Sequence, residues 1–321
     1  MNYRWVPIAG DFESENHDII FRGKAISPAA IPEPGEAAAK KTSSIGILVF
    51  DQPSGDGTLS ADIVFENSTE DSACEFILSY NAETKGLITA GLGGGWAMFN
   101  IREWLPSASS AEQSRWFTFD SSGDKGNLKS NQKFHVEAEL LGSRITLSID
   151  GVAVATTRLP GPIPQRSQVG IFCIGKNTIR ISNLTLSTRK AQAFIVMQFS
   201  SPFNEIYTDV IRKACDDFGM QPTRADEMYG PGIIIKDISE QILSSQVIIA
   251  DVTPPNQNVY FEVGYAYGVG KPIILLAEKG TQLPFDLSAF RTLFYENSIA
   301  GKTSFDEGLR RHLNALVGKG R

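Results

Sequence analysis

The sequence predicts two domains of different class, an antiparallel β-sandwich followed by a parallel α/β sheet. Up to about residue 188, short segments with alternating apolar and polar residues are separated by Gly, Ser, Asn and Pro clusters, which is the pattern of antiparallel strands. From residue 189 onward, continuous apolar runs alternate with segments of helical periodicity, which is typical of a buried parallel sheet with helices on both faces. We therefore assign residues 1–188 to a sandwich and residues 189–321 to an α/β domain.

The strands of the first domain follow from its period-two segments. In "RITLSIDGVAVATT", the pair Asp150-Gly151 separates two alternating runs, which is a strong signal for a two-residue hairpin turn. The segment 28–44 is rich in Pro and Ala and predicts a long loop. The other predicted strands are "TLSADIVFEN", "EFILSYN", "WAMFNIREW", "FHVEAELLG", "VGIFCIG" and "IRISNLTLS".

The second domain predicts five strands with helices between them. The predicted strands are "AFIVMQF", "QPTRA", "QVIIADV", "KPIILLA" and "TLFYE". The predicted helices are "PFNEIYTDVIRKACDDFG", "IIIKDISEQILSS", "NVYFEVGYAYGVG" and "SFDEGLRRHLNALVG", with a weaker turn or helix at "LPFDLSAF". Five such strands suggest a flavodoxin-like order, in which ligands bind outside the carboxyl ends of the first and third strands.

Composition excludes several classes of partner. The net charge of −6 does not favour DNA or RNA. No apolar run approaches the ~20 residues needed to cross a bilayer, and the first residues lack a secretion signal. Three scattered cysteines, Cys74, Cys173 and Cys215, are typical of free thiols in a reducing compartment and predict a cytoplasmic protein. The three histidines are far apart, so we expect no metal site.

One acidic residue, Glu262, lies in an otherwise apolar helix. Strand "QVIIADV" ends at Asp251, and the loop "TPPNQ" leads into this helix, which we expect to begin near Asn256 or Asn258. Glu262 would then lie in about the first turn, where the helix dipole favours an ionised carboxylate by ~0.3–1 kcal/mol. We therefore expect Glu262 to be charged at neutral pH and able to act as a nucleophile. The alternative is favourable dipole placement without a catalytic role.

The stretch "IIADVTPPNQNVYFEVGYAYGVGKPIILL" resembles the nucleoside 2-deoxyribosyltransferase family and its relatives, the deoxynucleoside-5′-phosphate N-hydrolases. More distantly, it resembles the NAD-cleaving domains of the Toll/interleukin-1 receptor (TIR) type. The resemblance covers about residues 193–296 and rests on Asp251, the Pro/Asn loop, Glu262 with the Val-Gly-Tyr-Ala that follows it, and Lys271-Pro272. It implies that Glu262 attacks the anomeric carbon of a ribose or deoxyribose and forms a glycosyl-enzyme ester.

A neutral nucleobase needs a proton as it leaves, so we expect a second carboxyl group. The candidates are Asp237 and Asp251. Relatives place an aspartate about two dozen residues before the nucleophile, which fits Asp237. Asp237 could equally be a solvated helix residue, and Asp251 a loop cap. Where relatives often carry an acid six residues before the nucleophile, this sequence has Asn256, which favours hydrolysis over transfer.

Substrate contacts are expected in the loop after the first parallel strand and around the Glu262 helix. In "QFSSPFNEIY", Gln198, Ser200 and Ser201 lie at the end of the strand, and the amides of the next helix could hold an anion, although Ser-Pro also starts helices that bind nothing. Arg224 could meet a phosphate or pair with Asp226, and "MYGPG" after it predicts a mobile flap. The candidate substrate-binding residues are Gln198, Phe199, Ser200, Ser201, Arg224, Asn256, Asn258 and Tyr265.

The resemblance therefore implies an N-glycosidic hydrolase that acts on NAD or a (deoxy)nucleoside phosphate. We expect no cofactor, because NAD would enter only as substrate, and the resemblance implies a homo-oligomer. Small domains of this family joined to an unrelated module are common among bacterial antiviral effectors, so a defence role is an expectation. The alternative is a nucleotide-sensing protein without catalysis.

The first domain resembles the concanavalin A-like (laminin G-like) jelly roll in "GTLSADIVF", "RITLSIDGVAV" and "QVGIFCIGKNTIRISNLTL". Proteins of that fold often bind glycans or partner proteins, so the resemblance implies a glycan or protein ligand. Trp96, Trp104 and Trp116 could be exposed aromatic contacts, but burial in the sandwich core is the interpretation that we favour for each. The glycines of "GLGGGW" predict a turn.

Overall fold

A computed structural model describes residues 4–26, 42–107, 114–160, 167–227 and 234–317. The chain forms two compact units whose main division falls between Thr188 and Arg189, and the second unit also includes Leu141–Ser143 and Pro160. Most of the predicted loop at 28–44 lies outside the described residues, and its last three residues begin a strand. Within the described ranges, no helix is both long enough and apolar enough to span a membrane.

The described part of the first unit contains fifteen strands in two antiparallel sheets. One sheet has the order β1-β5-β14-β7-β8-β9-β10, with β4 paired to β5, and the other has the order β13-β12-β11-β6-β15-β3-β2. The predicted β-sandwich is confirmed. The strands are β1 (Trp5–Ala9), β2 (Phe12–Glu15), β3 (Asp18–Arg22), β4 (Ala25–Ile26), β5 (Thr42–Pro53), β6 (Gly57–Phe65), β7 (Ala73–Tyr80), β8 (Leu87–Leu92), β9 (Ala97–Leu105), β10 (Arg115–Asp124), β11 (Lys133–Leu141), β12 (Arg144–Ile149), β13 (Val152–Arg158), β14 (Gln168–Gly175) and β15 (Thr178–Thr188).

The alternation of apolar residues produces this sandwich directly. Along β11, Phe134, Val136 and Ala138 are buried, and the residues between them are partly exposed. The predicted hairpin joins β12 to β13, and its turn residues Asp150 and Gly151 have φ of 51° and 80°. Both positive φ values are what a two-residue turn of the favoured hand requires, so this prediction is confirmed.

The second unit is a five-stranded parallel sheet. Its order is β17-β16-β18-β19-β20, which places the first strand of the unit between the second and the third. The predicted flavodoxin-like order is therefore confirmed. The strands are β16 (Ala191–Val196), β17 (Met220–Arg224), β18 (Val247–Asp251), β19 (Ile273–Glu278) and β20 (Thr292–Tyr295).

Helices cover both faces of this sheet. On one face lie α1, the π-helical turn, α2 and α5, which pack on Val247 and Ile249 of β18. On the other face lie α3 and α4, which pack on Ile248 and Ala250. The helices are α1 (Phe203–Ile206), the π-helical turn (Tyr207–Ile211), α2 (Arg212–Asp217), α3 (Ile234–Ser244), α4 (Gln257–Gly268) and α5 (Ile299–Val317), with 3₁₀ turns at Lys125–Asn127, Ala225–Glu227 and Phe285–Leu287.

Candidate functional site

The carboxyl ends of β16 and β18 meet where the winding of the sheet reverses. The two strands are hydrogen-bonded neighbours, but the loop after β16 leads to α1 on one face and the loop after β18 leads to α4 on the other. In parallel sheets, such a switch point opens a crevice in which ligands bind. Side chains of a small-molecule site are therefore expected here.

A hydrogen bond joins the two loops at this point. Asn256 Nδ2 donates to Gln198 Oε1 at 2.8 Å, and Asn256 Oδ1 accepts the backbone N–H of Asn258 at 2.9 Å. Asn256 is thus the N-cap of α4. Three of the predicted residues come together here, although the side chain of Asn258 is exposed.

Glu262 is a buried carboxyl group in the second turn of α4. Because the N-cap is Asn256, the earlier of the two candidates, Glu262 is the sixth residue of a helix that begins at Gln257. The expected position in about the first turn is therefore wrong by roughly half a turn. Glu262 is 9% exposed and lies beside the buried residues Val259 and Val263 of its own helix.

Burial raises the pKa of Glu262 to about 7, because desolvation penalises the charged form of a carboxyl group. Burial therefore opposes the expected effect of the helix dipole, and the ionised state of Glu262 at neutral pH stays a prediction. The dipole effect falls off within the first turn, and burial outweighs it.

Glu262 lies on the flank of α4 that faces α3. With 3.6 residues per turn, Glu262 and Tyr260 project from opposite sides of the buried stripe that contains Val259 and Ala266. Tyr260 lines a groove of about 540 Å³ whose other wall, from Pro284 to Phe290, follows β19. The opposite flank therefore faces α3, which packs against α4.

Asp237 lies on the helix that faces Glu262. It is half-buried and occupies the first turn of α3. Ile238 and Ile242 of α3 share one core cluster with Val259 and Val263 of α4. The two helices that carry Asp237 and Glu262 are therefore neighbours on the same face of the sheet.

Asp251 belongs to the opposite face. Its side chain alternates with Ala250, so it points toward α5, where Tyr295 Oη donates to Asp251 Oδ2 at 2.7 Å. Asp251 Oδ1 accepts the backbone N–H of Thr253 at 3.0 Å. Burial is the main cause that raises the pKa of Asp251 to about 7. Of the two interpretations, these contacts fit a loop cap, and the structure does not bring Asp251 together with Glu262.

The predicted anion site in the loop after β16 already contains a carboxylate. Ser201 Oγ donates to Glu205 Oε1 at 3.0 Å, and Glu205 lies in the first turn of α1. The carbonyl oxygen of Ser200 accepts the backbone N–H groups of Phe203 and Asn204. A phosphate placed here would be repelled by Glu205, so these contacts favour the alternative, a simple helix start.

Arg224, at the end of β17, pairs with Asp226. Its Nε donates to Asp226 Oδ1 at 2.9 Å, its Nη2 donates to Asp226 Oδ2, and its Nη1 donates to Asn204 Oδ1 at 2.9 Å. The guanidinium carbon lies 4.4 Å from the ring centre of Tyr207 and 5.2 Å from that of Phe199. The guanidinium group is thus held by acceptors and rings and is only 7% exposed.

Sequence reasoning missed Tyr295, Asn204 and Tyr207, which complete these contacts. Tyr295 ends the last strand, and the ends of parallel strands share one edge of the sheet, so its position was a usable signal. Asn204 and Tyr207 lie in a helix whose only sequence signal was its apolar stripe. Tyr265 is half-buried and its ring stacks on Phe261 at 6.5 Å, and the predicted flap lies outside the described residues.

Among the described residues, no group of three or more His, Cys, Asp or Glu side chains could hold a metal ion. The expectation of no cofactor stays a prediction.

No protein-family profile matches this sequence, and no characterised protein matches it significantly. Several solved structures are similar to it. Carbohydrate binding module CBM66 from Bacillus subtilis has 13% identity and a TM-score of 0.42, covering 57% of this chain and 95% of that chain. A prokaryotic β-1,3-1,4-glucanase from a mouse hindgut metagenome has 10% identity and a TM-score of 0.37, and the match covers 57% of this chain and 92% of that chain. The Clostridium botulinum CMP N-glycosidase BcmB has 16% identity and a TM-score of 0.30, and the match covers 38% of this chain and 98% of that chain.

Proposed function

We propose that the second unit hydrolyses the N-glycosidic bond of a nucleotide, either NAD or a (deoxy)nucleoside phosphate, with Glu262 as the nucleophile. One observation carries the proposal: a carboxyl group, 9% exposed, lies in the helix that starts at the switch point, and burial raises its pKa to about 7. Carboxyl groups with strongly perturbed pKa values concentrate at functional sites. The hydrogen bond from Asn256 to Gln198 ties this helix to the loop after β16.

The chemistry suits a desolvated carboxylate. Cleavage of an N-glycosidic bond passes through an oxocarbenium-like state, and a fixed negative charge in a water-poor site stabilises that state more strongly than it would in water. The carboxylate oxygen then bonds to C1′ as the base departs with the electrons of the C–N bond, and water later hydrolyses the ester. Only ionised Glu262 can attack, so for NAD, whose nicotinamide leaves without protonation, kcat/KM should rise with pH and level off above about 7.

Asp237 is the proposed proton donor for a neutral leaving base. It is half-buried on α3, which packs against the Glu262 helix. This assignment replaces Asp251, whose two oxygens are engaged by Thr253 and Tyr295 on the other face of the sheet.

The experiment is an assay for free base with purified protein. NAD, CMP, dCMP, AMP and GMP are incubated separately with the wild-type protein, and the products are separated by chromatography. Glu262→Gln should lower the rate by about 10³-fold or more, as loss of a nucleophile does. Glu240→Gln is the matched control, because this substitution makes the same chemical change at an exposed position of α3. Full activity in Glu262→Gln would contradict the proposal.

A second candidate function concerns the sandwich. Trp96 is fully exposed, contrary to the expected burial, because it lies in the turn before β9, where Gly93 and Gly95 have φ of 83° and 74°. Trp104 and Trp116 are half-buried and pack at 5.4 Å. A wholly exposed indole is suited to stacking on a sugar ring. We propose glycan binding through Trp96, and glycan-array binding that persists in Trp96→Ala would contradict it.

A further inference from the structure

The loop after β16 carries an aromatic ring that is both anchored and exposed. Phe199 follows Gln198, the residue that accepts the hydrogen bond from Asn256 at 2.8 Å. Phe199 is 44% exposed, yet its ring centre lies 5.2 Å from the buried guanidinium carbon of Arg224. That distance is within the range of a cation–π contact.

Arg224 cannot easily move away from this ring. Both carboxylate oxygens of Asp226 and the amide oxygen of Asn204 accept hydrogen bonds from its guanidinium group. The ring of Tyr207 lies 4.4 Å away, and Tyr207 Oη is itself fixed by a hydrogen bond to Glu227 Oε2 at 3.2 Å. The guanidinium group is planar, and hydrogen bonds along its edge leave its two faces available for contact with aromatic rings.

The same contacts leave Arg224 poorly placed to bind a phosphate. Its charge is matched by Asp226 at short range, and only 7% of the residue is exposed. A phosphate ligand would have to displace Asp226 and would meet its charge. These hydrogen bonds instead hold the guanidinium group in a fixed place beside the ring of Phe199.

We propose that Arg224 is a positioning residue that holds Phe199 as a stacking platform for the base of the substrate. This inference rests on the proposed function and names the part of the substrate that the loop recognises: the flat face of a nucleobase or of nicotinamide, rather than the phosphate. A ring that is already ordered loses little conformational freedom when a base stacks on it. Every base has such a face, so we expect the platform to contribute more to affinity than to selectivity among bases.

The test measures binding in a Glu262→Gln background, which prevents turnover. CMP, AMP, NAD and ribose 5-phosphate are titrated calorimetrically, the last as the probe without a base. Phe199→Ala should weaken binding of the three base-containing probes by about 5- to 150-fold, the value of one base–aromatic stack, and should leave ribose 5-phosphate unchanged. Phe199→Trp is the conservative control and should retain binding.

Arg224→Lys keeps the positive charge but loses the planar guanidinium group, so it should weaken the binding of the same three base-containing probes. Combined with Phe199→Ala, it should add no further loss, because the two residues act as one unit. Asn204→Ala removes one anchor while leaving the guanidinium group in place, and it should give a smaller loss in the same direction. This variant keeps the proposal testable if Arg224→Lys does not fold.

Four results would overturn the proposal: no effect of Phe199→Ala, additive losses in the double variant, equal loss of ribose 5-phosphate binding in Arg224→Lys, or no binding of any base-containing probe. Its failure is distinguishable from failure of the proposed function. Base release by the wild-type protein that is insensitive to Phe199→Ala would overturn only the platform. Base-dependent binding through Phe199 without any base release would overturn only hydrolysis.

Discussion

Asp251 and Glu262 are two buried carboxyl groups of the second unit, one at the end of β18 and one in α4, and burial raises the pKa of each to about 7. They differ in what surrounds the charge. Asp251 is 1% exposed and accepts hydrogen bonds from Tyr295 and Thr253 on the α5 face. Glu262 is 9% exposed on the α4 face, and among the described residues no hydrogen bond or charge offsets the burial that raises its pKa.

The difference separates a structural carboxyl group from a candidate catalytic one. The contacts of Asp251 join the end of β20 to the loop after β18, so the fold itself accounts for this residue. Within the described part of the chain, no partner of this kind compensates for the burial of Glu262. An uncompensated buried charge destabilises a protein. A side chain that lowers the stability of the fold is expected where function requires it.

After Glu262→Gln, the largest effect should come from Asp237→Asn. If Asp237 protonates the leaving base, its loss should lower the release of cytosine or adenine by about 10²- to 10⁴-fold. Nicotinamide leaves NAD as a neutral molecule without protonation, so NAD cleavage should be nearly unchanged. Chromatographic base-release assays on both kinds of substrate check this. An equal loss for NAD and for CMP would contradict the role of proton donor.

Glu262→Gln should stabilise the fold in a pH-dependent way. The pKa of Glu262 is raised from 4.5 to about 7, so the folded state retains a proton that the unfolded chain has already lost. The resulting penalty is absent below pH 4.5, grows as the pH rises, and reaches about 3 kcal/mol above pH 7. Urea unfolding should therefore show the variant to be more stable than the wild-type protein at pH 8 and equal to it at pH 4. Equal stability at both pH values would indicate that Glu262 is solvated.

Tyr295→Phe should destabilise the fold, whereas Glu262→Gln should stabilise it. It removes the hydroxyl that donates to Asp251, so the free energy of unfolding should fall by about 1–3 kcal/mol. That hydrogen bond lowers the pKa of Asp251 because it favours the ionised form. The loss should therefore be greater at pH 8 than at pH 5, which thermal unfolding at the two pH values can measure. A loss that is larger at pH 5 would contradict the assigned contact.

The smallest effect on catalysis should come from Asp251→Asn. Because Asp251 lies on the face opposite to Glu262, base release should change by less than about threefold at a temperature where the variant is folded. A loss as large as that expected of Asp237→Asn would show that the comparison of the two faces assigns the proton donor wrongly.

The sequence was sufficient for the fold because its signals are local. The Asp150-Gly151 turn, the alternation along β11 and the switch to continuous apolar runs at β16 each depend on a few adjacent residues. The order of the five parallel strands followed from their number and the helices between them. Trp96 was misjudged because β9 begins one residue later than the predicted strand, which leaves the indole in a turn.

The site was less accessible to sequence reasoning. A parallel strand buried on both faces has no pattern of inward and outward residues, so nothing in "QVIIADV" indicated that Asp251 points away from α4. The raised pKa of Glu262 depends on desolvation by packed neighbours. The contact between Arg224 and Asn204 joins residues twenty positions apart. Such properties exist only once the chain has folded.

The most direct test of the central claim is peptide mapping by mass spectrometry after rapid acid quenching of the wild-type protein with its best substrate. If Glu262 is the nucleophile, the peptide containing Glu262 gains the mass of the sugar moiety released from the base, and this adduct is missing in Glu262→Gln. A sugar adduct on a different carboxyl group, or base release with an adduct that survives the loss of Glu262, would contradict it.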